Sequence, residues 1–256
     1  MGHSRKGWLP DLPDQRDQIL AAGKPTPLPP SADLHAKLPP CWDQGQTNSC
    51  VGHAVAAAFR FEQVKRKLAD FMPSRLFIYG NARKMEGLFS VDGGCYIRDA
   101  IKSVNQIGVV SEGEWPFDLS KVLVLPNDRV FQDAKFHRSF VYQRVPQTLQ
   151  SMKQVLAGGD IFVGGFTCYE SFDSDKVATT GVLEMPGPNE QTVGGHAIAI
   201  VGYSDATERF LIRNSWGVSW GLPTMPGHFT MPYAYLTNSN LSDDFWVIKQ
   251  VGGFNG

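Results

Sequence analysis

The stretch Gln44-Gly45-Gln46-Thr47-Asn48-Ser49-Cys50-Val51-Gly52-His53-Ala54 limits what this chain can fold into more than any other part of it. It reads as a turn feeding the first turn of a helix. Gly45 loosens the backbone, and Asn48 and Ser49 are favourable N-cap residues. Val51, Ala54, Val55, Ala58, Phe61 and Leu68 then recur at roughly helical spacing, which predicts a helix from Cys50 whose other faces are buried. Cys50 falls in its first turn. Uncapped N–H groups and the positive end of the helix dipole favour an anion there. A thiol so placed is expected to lose its proton easily, and the thiolate is the reactive form. The amide of Gln44, upstream, is expected to curl back and donate to an oxyanion beside the sulfur.

A thiolate needs an acid–base partner, and that partner must be held in place. Both occur downstream. Gly194-Gly195-His196-Ala197 opens an apolar, strand-like run that continues to Tyr203. Asn214, in Arg213-Asn214-Ser215-Trp216-Gly217, follows the short apolar run Phe210-Leu211-Ile212. An Asn beside a strand end accepts from one imidazole nitrogen and leaves the other facing the sulfur. Trp216 is expected to roof that bond and exclude water. His53, one helical turn after Cys50, is the rival base, but no orienting partner for it is visible, and it is expected to be a packing residue.

Together these pieces resemble the papain family of cysteine peptidases, its prokaryotic branch in particular. The matching residues are Gln44 and Cys50, Gly93-Gly94, Gly194-Gly195-His196-Ala197, Asn214-Ser215-Trp216-Gly217 and Trp220-Gly221. Tyr96 to Ala100 and Asp243 to Trp246 add the likeness to the prokaryotic branch, and the resemblance runs from about Leu38 to about Lys249. It implies an α+β fold of two lobes, helical over about 41–117 and β-rich over about 118–256, with the active site in the cleft between them. It implies a peptidase in which Cys50 attacks the scissile carbonyl, His196 handles the proton, Asn214 fixes the imidazole and Gln44 serves the oxyanion. Gly93, Gly94, Tyr96, Ile97, Gly195, Ala197 and Trp216 are the residues it implies for substrate binding. The family's usual half-cystines are absent together: Thr47 and Val91 stand at their positions. Asn48 replaces a customary Gly, and Val51 a customary aromatic.

Composition narrows the alternatives. A length of 256 residues, with 42% hydrophobic and 19% charged residues, suits a globular core. The net charge of -1 gives no electrostatic case for nucleic acid or an anionic membrane surface. No apolar run approaches the ~20 residues of a membrane span. Met1 to Pro10 carries basic residues with no apolar core behind them, unlike a secretory signal, so the expected location is cytoplasmic, or outside the cell by a non-classical route. A monomer acting on a peptide or protein substrate is expected, with no metal and no cofactor. Cys41, Cys95 and Cys168 read as ordinary buried thiols, since no Cys-x-x-Cys occurs and the histidines are scattered.

Along the chain, residues 1–40 are Pro-rich and turn-rich, through Pro25, Pro27, Pro29, Pro30, Pro39 and Pro40. Two readings stand: an arm packed on the body through Trp8 and Leu9, or a short pro-segment. The first is preferred because the segment is short for the family's helical pro-domain. Helices are expected at 50–69, 74–86 and 95–107, the last closed by Gly108, with a short helix capped by Thr148. Strands are expected at 136–145, 160–167, 196–203, 209–214, 227–232 and 245–250, and 168–194 as a long loop at the cleft rim. The pocket for the second side chain before the cut is expected to be apolar, with Tyr96 and Ile97 on one wall and Gly164-Gly165 and Ala197 on the other. Asp243 or Asp244 is the feature able to overturn that. A thiol amidase and a catalytically idle papain-shaped binding module are the other readings the residues allow.

Overall fold

The computed structural model describes residues 6–252 apart from 22, 24–26 and 69–70. Residues 1–5 and Pro25 of the predicted arm, and residue 69 at the end of the first predicted helix, lie outside the described residues.

Three helices make one side of the molecule. Helix α1 (Cys50–Lys65) runs through the middle, buried on almost every face from Cys50 to Gln63. Its short residues, Ala54 and Ala56–Ala58, let neighbours come close on all sides. Helix α2 (Arg75–Met85) starts at Ser74, whose hydroxyl accepts from Phe77 N. It crosses α1 at Gly52, where a Cβ would lie 2.6 Å from Arg75 O. Strand β3 (Cys95–Tyr96) leads into helix α3 (Ile97–Gln106). Gly108, at φ 101°, ends that helix and lies against Ala134 O.

The other side is a seven-stranded sheet. In spatial order it runs β10 (His228–Pro232), β7 (Arg209–Arg213), β6 (Thr192–Ser204), β5 (Phe162–Tyr169), β11 (Ser242–Gly252) and β4 (Arg138–Arg144). Strand β2 (Ser31–Asp33) adds to the end of β6. Between these lie α4 (Asp128–Ala134), α5 (Leu149–Ala157), α6 (Asp175–Thr180), the short strands β8 (Gly221–Leu222) and β9 (Met225–Pro226), and α7 (Tyr233–Thr237). Thr148 caps α5 by accepting from Ser151 N. Helix α1 packs on β5, β6 and β11, so the core is continuous from the helices into the sheet. The architecture is the α+β one expected, with helices gathered on one side and a sheet on the other.

One expectation needs correction. Residues 168–194 are not a plain loop: β5 continues to Tyr169, Phe172 packs fully buried in a single turn at 170–173, and α6 follows. From residue 6 on, the Pro-rich segment is tied to the body at several points. Trp8–Leu9 form β1, which pairs parallel with β3, Ile19 bridges to Arg144, and β2 extends the main sheet. The segment is a belt crossing from the helices to the sheet.

Candidate active site

The sulfur of Cys50 is fully buried where α1 begins against β6. Ala197 N donates to it at 3.5 Å and Gly7 N at 3.3 Å. Ser49 is the N-cap residue, but its hydroxyl does not close the helix; it bonds Thr47 Oγ1 at 2.6 Å. Burial pushes the thiol up to about 11, against the N–H groups of Ala197, Gly7, Val51 and Cys50 itself. The helix-terminus effect expected from the sequence is therefore present and outweighed. With the sulfur covered, desolvation wins and the thiol stays protonated at neutral pH.

His196 comes to the same place from the sheet, in β6 opposite Phe166. Its Nε2 lies 2.8 Å from Asn214 Oδ1. That oxygen also accepts from Ser215 N at 2.8 Å, which fixes the amide orientation and makes Nε2 the protonated nitrogen. Trp216 packs on the imidazole, with centroids 5.2 Å apart, as expected of a roof. Phe172, missed from the sequence because it lay in the supposed loop, joins it: its ring sits 4.8 Å from Trp216 and 5.8 Å from His196.

Gln44 is buried and held at both ends. Its Nε2 donates to Thr47 O at 2.7 Å, and its Oε1 accepts from Ser215 Oγ at 2.6 Å. Ser215 is thus a positioning residue that sequence reasoning did not single out. His53 belongs to a different cluster. Its Nδ1 bonds Ser49 O at 3.0 Å, its ring packs on Phe117 and Trp42, and burial and Arg75 hold it neutral.

The groove beside the sulfur is occupied by the chain's own residues 7–9. Gly7 O accepts from Cys95 N at 2.9 Å, and Trp8 and Leu9 align with Cys95 and Tyr96. This corrects the preferred reading of the arm: it packs on the body, but it does so in the cleft. The fit depends on missing side chains. A Cβ on Gly7 would sit 1.8 Å from Asn48 O, and one on Gly94, at φ 91°, 2.2 Å from Gly7 O. On the opposite wall, Cβ atoms at Gly165 and Gly195 would run into Trp8. Gly93 is different, since a Cβ there meets only Val91 at an ordinary 3.5 Å. Gly94 is held in place by Tyr79, whose hydroxyl accepts from Gly94 N and donates to Asp92, which in turn anchors the Asn48 backbone. Of the remaining predicted pocket residues, Tyr96 faces the arm through Leu9, whereas Ile97 is wholly buried at the start of α3.

The pocket is not purely apolar. Asp244, fully buried, accepts from Trp8 Nε1 at 2.9 Å and from Asp11 N at 2.7 Å. Asp11 in turn accepts from Trp246 Nε1 at 2.9 Å and Arg98 N at 3.2 Å. Burial first, and Asp244 second, push the Asp11 carboxyl up to about 7. All four cysteines are free and buried, and no group of acidic, His or Cys side chains suited to a metal occurs among the described residues. No helix among them is long and apolar enough to cross a membrane.

Comparison with known proteins agrees with this fold. The profile described as papain family cysteine protease matches residues 28–241. An uncharacterized peptidase C1-like protein of Acanthamoeba polyphaga mimivirus is 36% identical, over 96% of this chain and 86% of its own. The crystal structure of xylellain, a cysteine protease from Xylella fastidiosa, superposes with a TM-score of 0.90 at 39% identity, covering 97% of each chain. Digestive procathepsin L 3 of Tenebrio molitor shares the fold, with a TM-score of 0.73 at 15% identity over 97% of this chain and 77% of its own.

Proposed function

Because the chain belongs to the papain family of cysteine proteases, we propose that this cysteine peptidase is a thiol endopeptidase with Cys50 as nucleophile, and that residues 6–9 keep it blocked. The observation that carries the reading is the occupant of the groove. An extended peptide lies there, hydrogen-bonded to Cys95 and reaching the sulfur. A cleft that takes polypeptide backbone suits an endopeptidase better than an amidase for small amides.

In the proposed reaction Cys50 Sγ, as thiolate, attacks the scissile carbonyl carbon. The oxygen takes the negative charge and is met by Cys50 N–H and the side-chain amide of Gln44. His196, protonated, gives its proton to the leaving amine as the C–N bond breaks. It then takes a proton from water as the water oxygen attacks the thioester, and the C–S bond breaks to release the acid. Asn214 keeps the imidazole turned so that Nδ1 faces the reacting atoms.

The blocked state follows from direction and register. Residues 8–9 run parallel to Cys95–Tyr96, and Gly7 just before them turns its backbone N–H to the sulfur. The thiol is itself held protonated by burial.

The test is incubation with an epoxysuccinyl peptide, followed by intact mass and peptide mapping, alongside digestion of an unstructured peptide. One adduct, on Cys50, and cleavage at internal bonds are expected. An adduct with small amides cut and peptides untouched would replace the endopeptidase by an amidase. No adduct under conditions that free the arm would contradict a thiol mechanism at Cys50.

A further inference from the structure

The peptide group between Thr47 and Asn48 is held from both of its ends. Its carbonyl accepts from Gln44 Nε2 at 2.7 Å, and its N–H donates to the two carboxylate oxygens of Asp92 at 3.1 and 3.3 Å. Resting on the peptidase reading above, in which Gln44 meets the oxyanion, we propose that Asp92 is a positioning residue. It fixes the amide of Gln44 relative to the segment at Gly94–Cys95, against which an extended peptide is laid.

The connection is unbroken. Gly94 N donates to the Tyr79 hydroxyl at 3.0 Å, and that hydroxyl donates to Asp92 Oδ1. Burial keeps the phenol protonated, so Tyr79 gives its one proton to Asp92 and a lone pair to Gly94. Asp92 takes the Asn48 N–H, and the same peptide group offers Thr47 O to Gln44. Bonds in such a chain polarise one another, so the bond at Asn48 N strengthens the one at Thr47 O. The join between the two segments is also reciprocal, since Asn48 Nδ2 donates to Asp92 O at 2.6 Å. Thr47 and Val91, one residue before each partner, carry no sulfur that could link the segments covalently.

Helix α2 supplies the fixed frame. Tyr79, Arg83 and Glu86 follow one another at spacings of four and three, on one face of α2 and its C-terminal cap. Arg83 stacks its guanidinium 4.0 Å from the centre of the Tyr79 ring and donates to Val91 O at 2.7 Å. Glu86 Oε1 accepts from Tyr96 N at 3.0 Å. Residues 91–96 thus hang from α2 by side chains, while Cys95 N points into the groove and donates to Gly7 O of the arm. On the sheet side Ser215 donates to Gln44 Oε1 at 2.6 Å. The Gln44 amide is therefore clamped between the two walls of the groove, by Ser215 beside Asn214 and by Asp92 beside Gly94. The hydrogen bonds of the Asp92 carboxylate go to Asn48 and Tyr79, so its effect on the chemistry passes through them.

The test is a double-mutant cycle in the full chain carrying Trp8→Ala, which removes the indole from the groove. Asp92→Ala should lower kcat for a fluorogenic peptide about tenfold, the worth of a hydrogen bond to a charged group. Added to Gln44→Ala it should lower kcat by no more than about twofold, because the residue it acts through is gone. The same factor in both backgrounds is what a purely structural role gives, and it overturns the proposal. Alkylation of Cys50 by limiting iodoacetamide needs no oxyanion donor, and should change by no more than about twofold in Asp92→Ala. A change in alkylation as large as that in kcat places the effect at the thiol and overturns the proposal. Tyr79→Phe keeps the ring under Arg83, removes the hydroxyl between Gly94 and Asp92, and leaves every residue of the 44–50 loop in place. It should show the same dependence on Gln44, and it carries the cycle if Asp92→Ala does not fold. A last readout needs no turnover. Hydrogen exchange at the Gln44 side-chain amide, followed by NMR in the full chain, should be about tenfold faster in Asp92→Ala and in Tyr79→Phe. Unchanged exchange in both overturns the proposal. If no peptide is cut at all, the peptidase reading fails while the exchange still decides the role of Asp92.

Discussion

The two ends of the blocked groove are held very differently. At the sulfur the arm makes one hydrogen bond to Cys50, from Gly7 N, and a thiol is a weak acceptor. At the far end it is tied by Trp8 and Asp11 to Asp244, by Asp11 to Trp246 and Arg98, and by Asp17 to Arg98. The reacting atoms carry little of the load of keeping the arm in place. A block anchored away from the chemistry is removed by changes that leave Cys50, His196 and Asn214 as they were.

The sharpest break of that comparison is at the catalytic end. His196→Ala should lower the activity of arm-released enzyme by about 10⁴-fold or more, with arm docking unchanged. His53→Ala should keep most of it, since His53 is held by Ser49 O within another cluster. Next, Gln44→Ala should lower kcat by about 10²–10³-fold with little change in KM, because the contact forms in the transition state. At the anchoring end, Arg98→Met removes the closer and more deeply buried of Asp17's two cations, at 2.9 Å, and leaves Arg144 at 3.6 Å. Breaking such a pair costs about 3 kcal/mol, so Cys50 labelling in the full chain should rise by about 10²-fold. Steady-state assays and mapped iodoacetamide labelling check these four.

The smallest effect is that of pH. The Asp11 carboxyl titrates near its ordinary 3.8 when the arm is free and is raised to about 7 when it is docked. The docked form therefore binds the extra proton, and its stability is fully present below pH 3.8 and is lost as pH rises to about 7. Hydrogen exchange of the amides of residues 7–11, corrected for the intrinsic pH effect, should show protection falling across that window. Asp11→Asn, which keeps an acceptor and removes the repulsion from Asp244, should flatten the dependence.

The same contrast separates what was legible in the sequence from what was not. The helix from Cys50, the strand from His196 and the turn at Asn214 each carry a local signature, and the structure brings all three residues together. The apolar run after His196 is a central strand because it is buried on both faces. The anchoring end had no local signature. Trp8, Asp11, Arg98, Arg144 and Asp244 are scattered over the length of the chain and meet only through tertiary packing. Asp244 was foreseen only as a possible pocket floor, and the bulge that aims it depends on pairing between β5 and β11. Phe172 was lost because a Gly- and Pro-containing stretch reads as loop even where one turn inside it packs on the imidazole. The thiol's protonated state was hidden for a related reason: helix position is a local property, and burial by residues 7–9 is not.

The most direct test of the account is removal of residues 1–10 from the chain, followed by the rate of Cys50 alkylation at pH 7 in a variant shown by thermal melting to be folded. Uncovering the sulfur should bring its pKa down from about 11. Each unit of that fall raises the thiolate fraction about tenfold, so labelling should increase by about 10²-fold, with peptide cleavage appearing alongside it. A folded truncated protein whose Cys50 labels at the rate of the full chain would contradict the claim that this segment blocks the site.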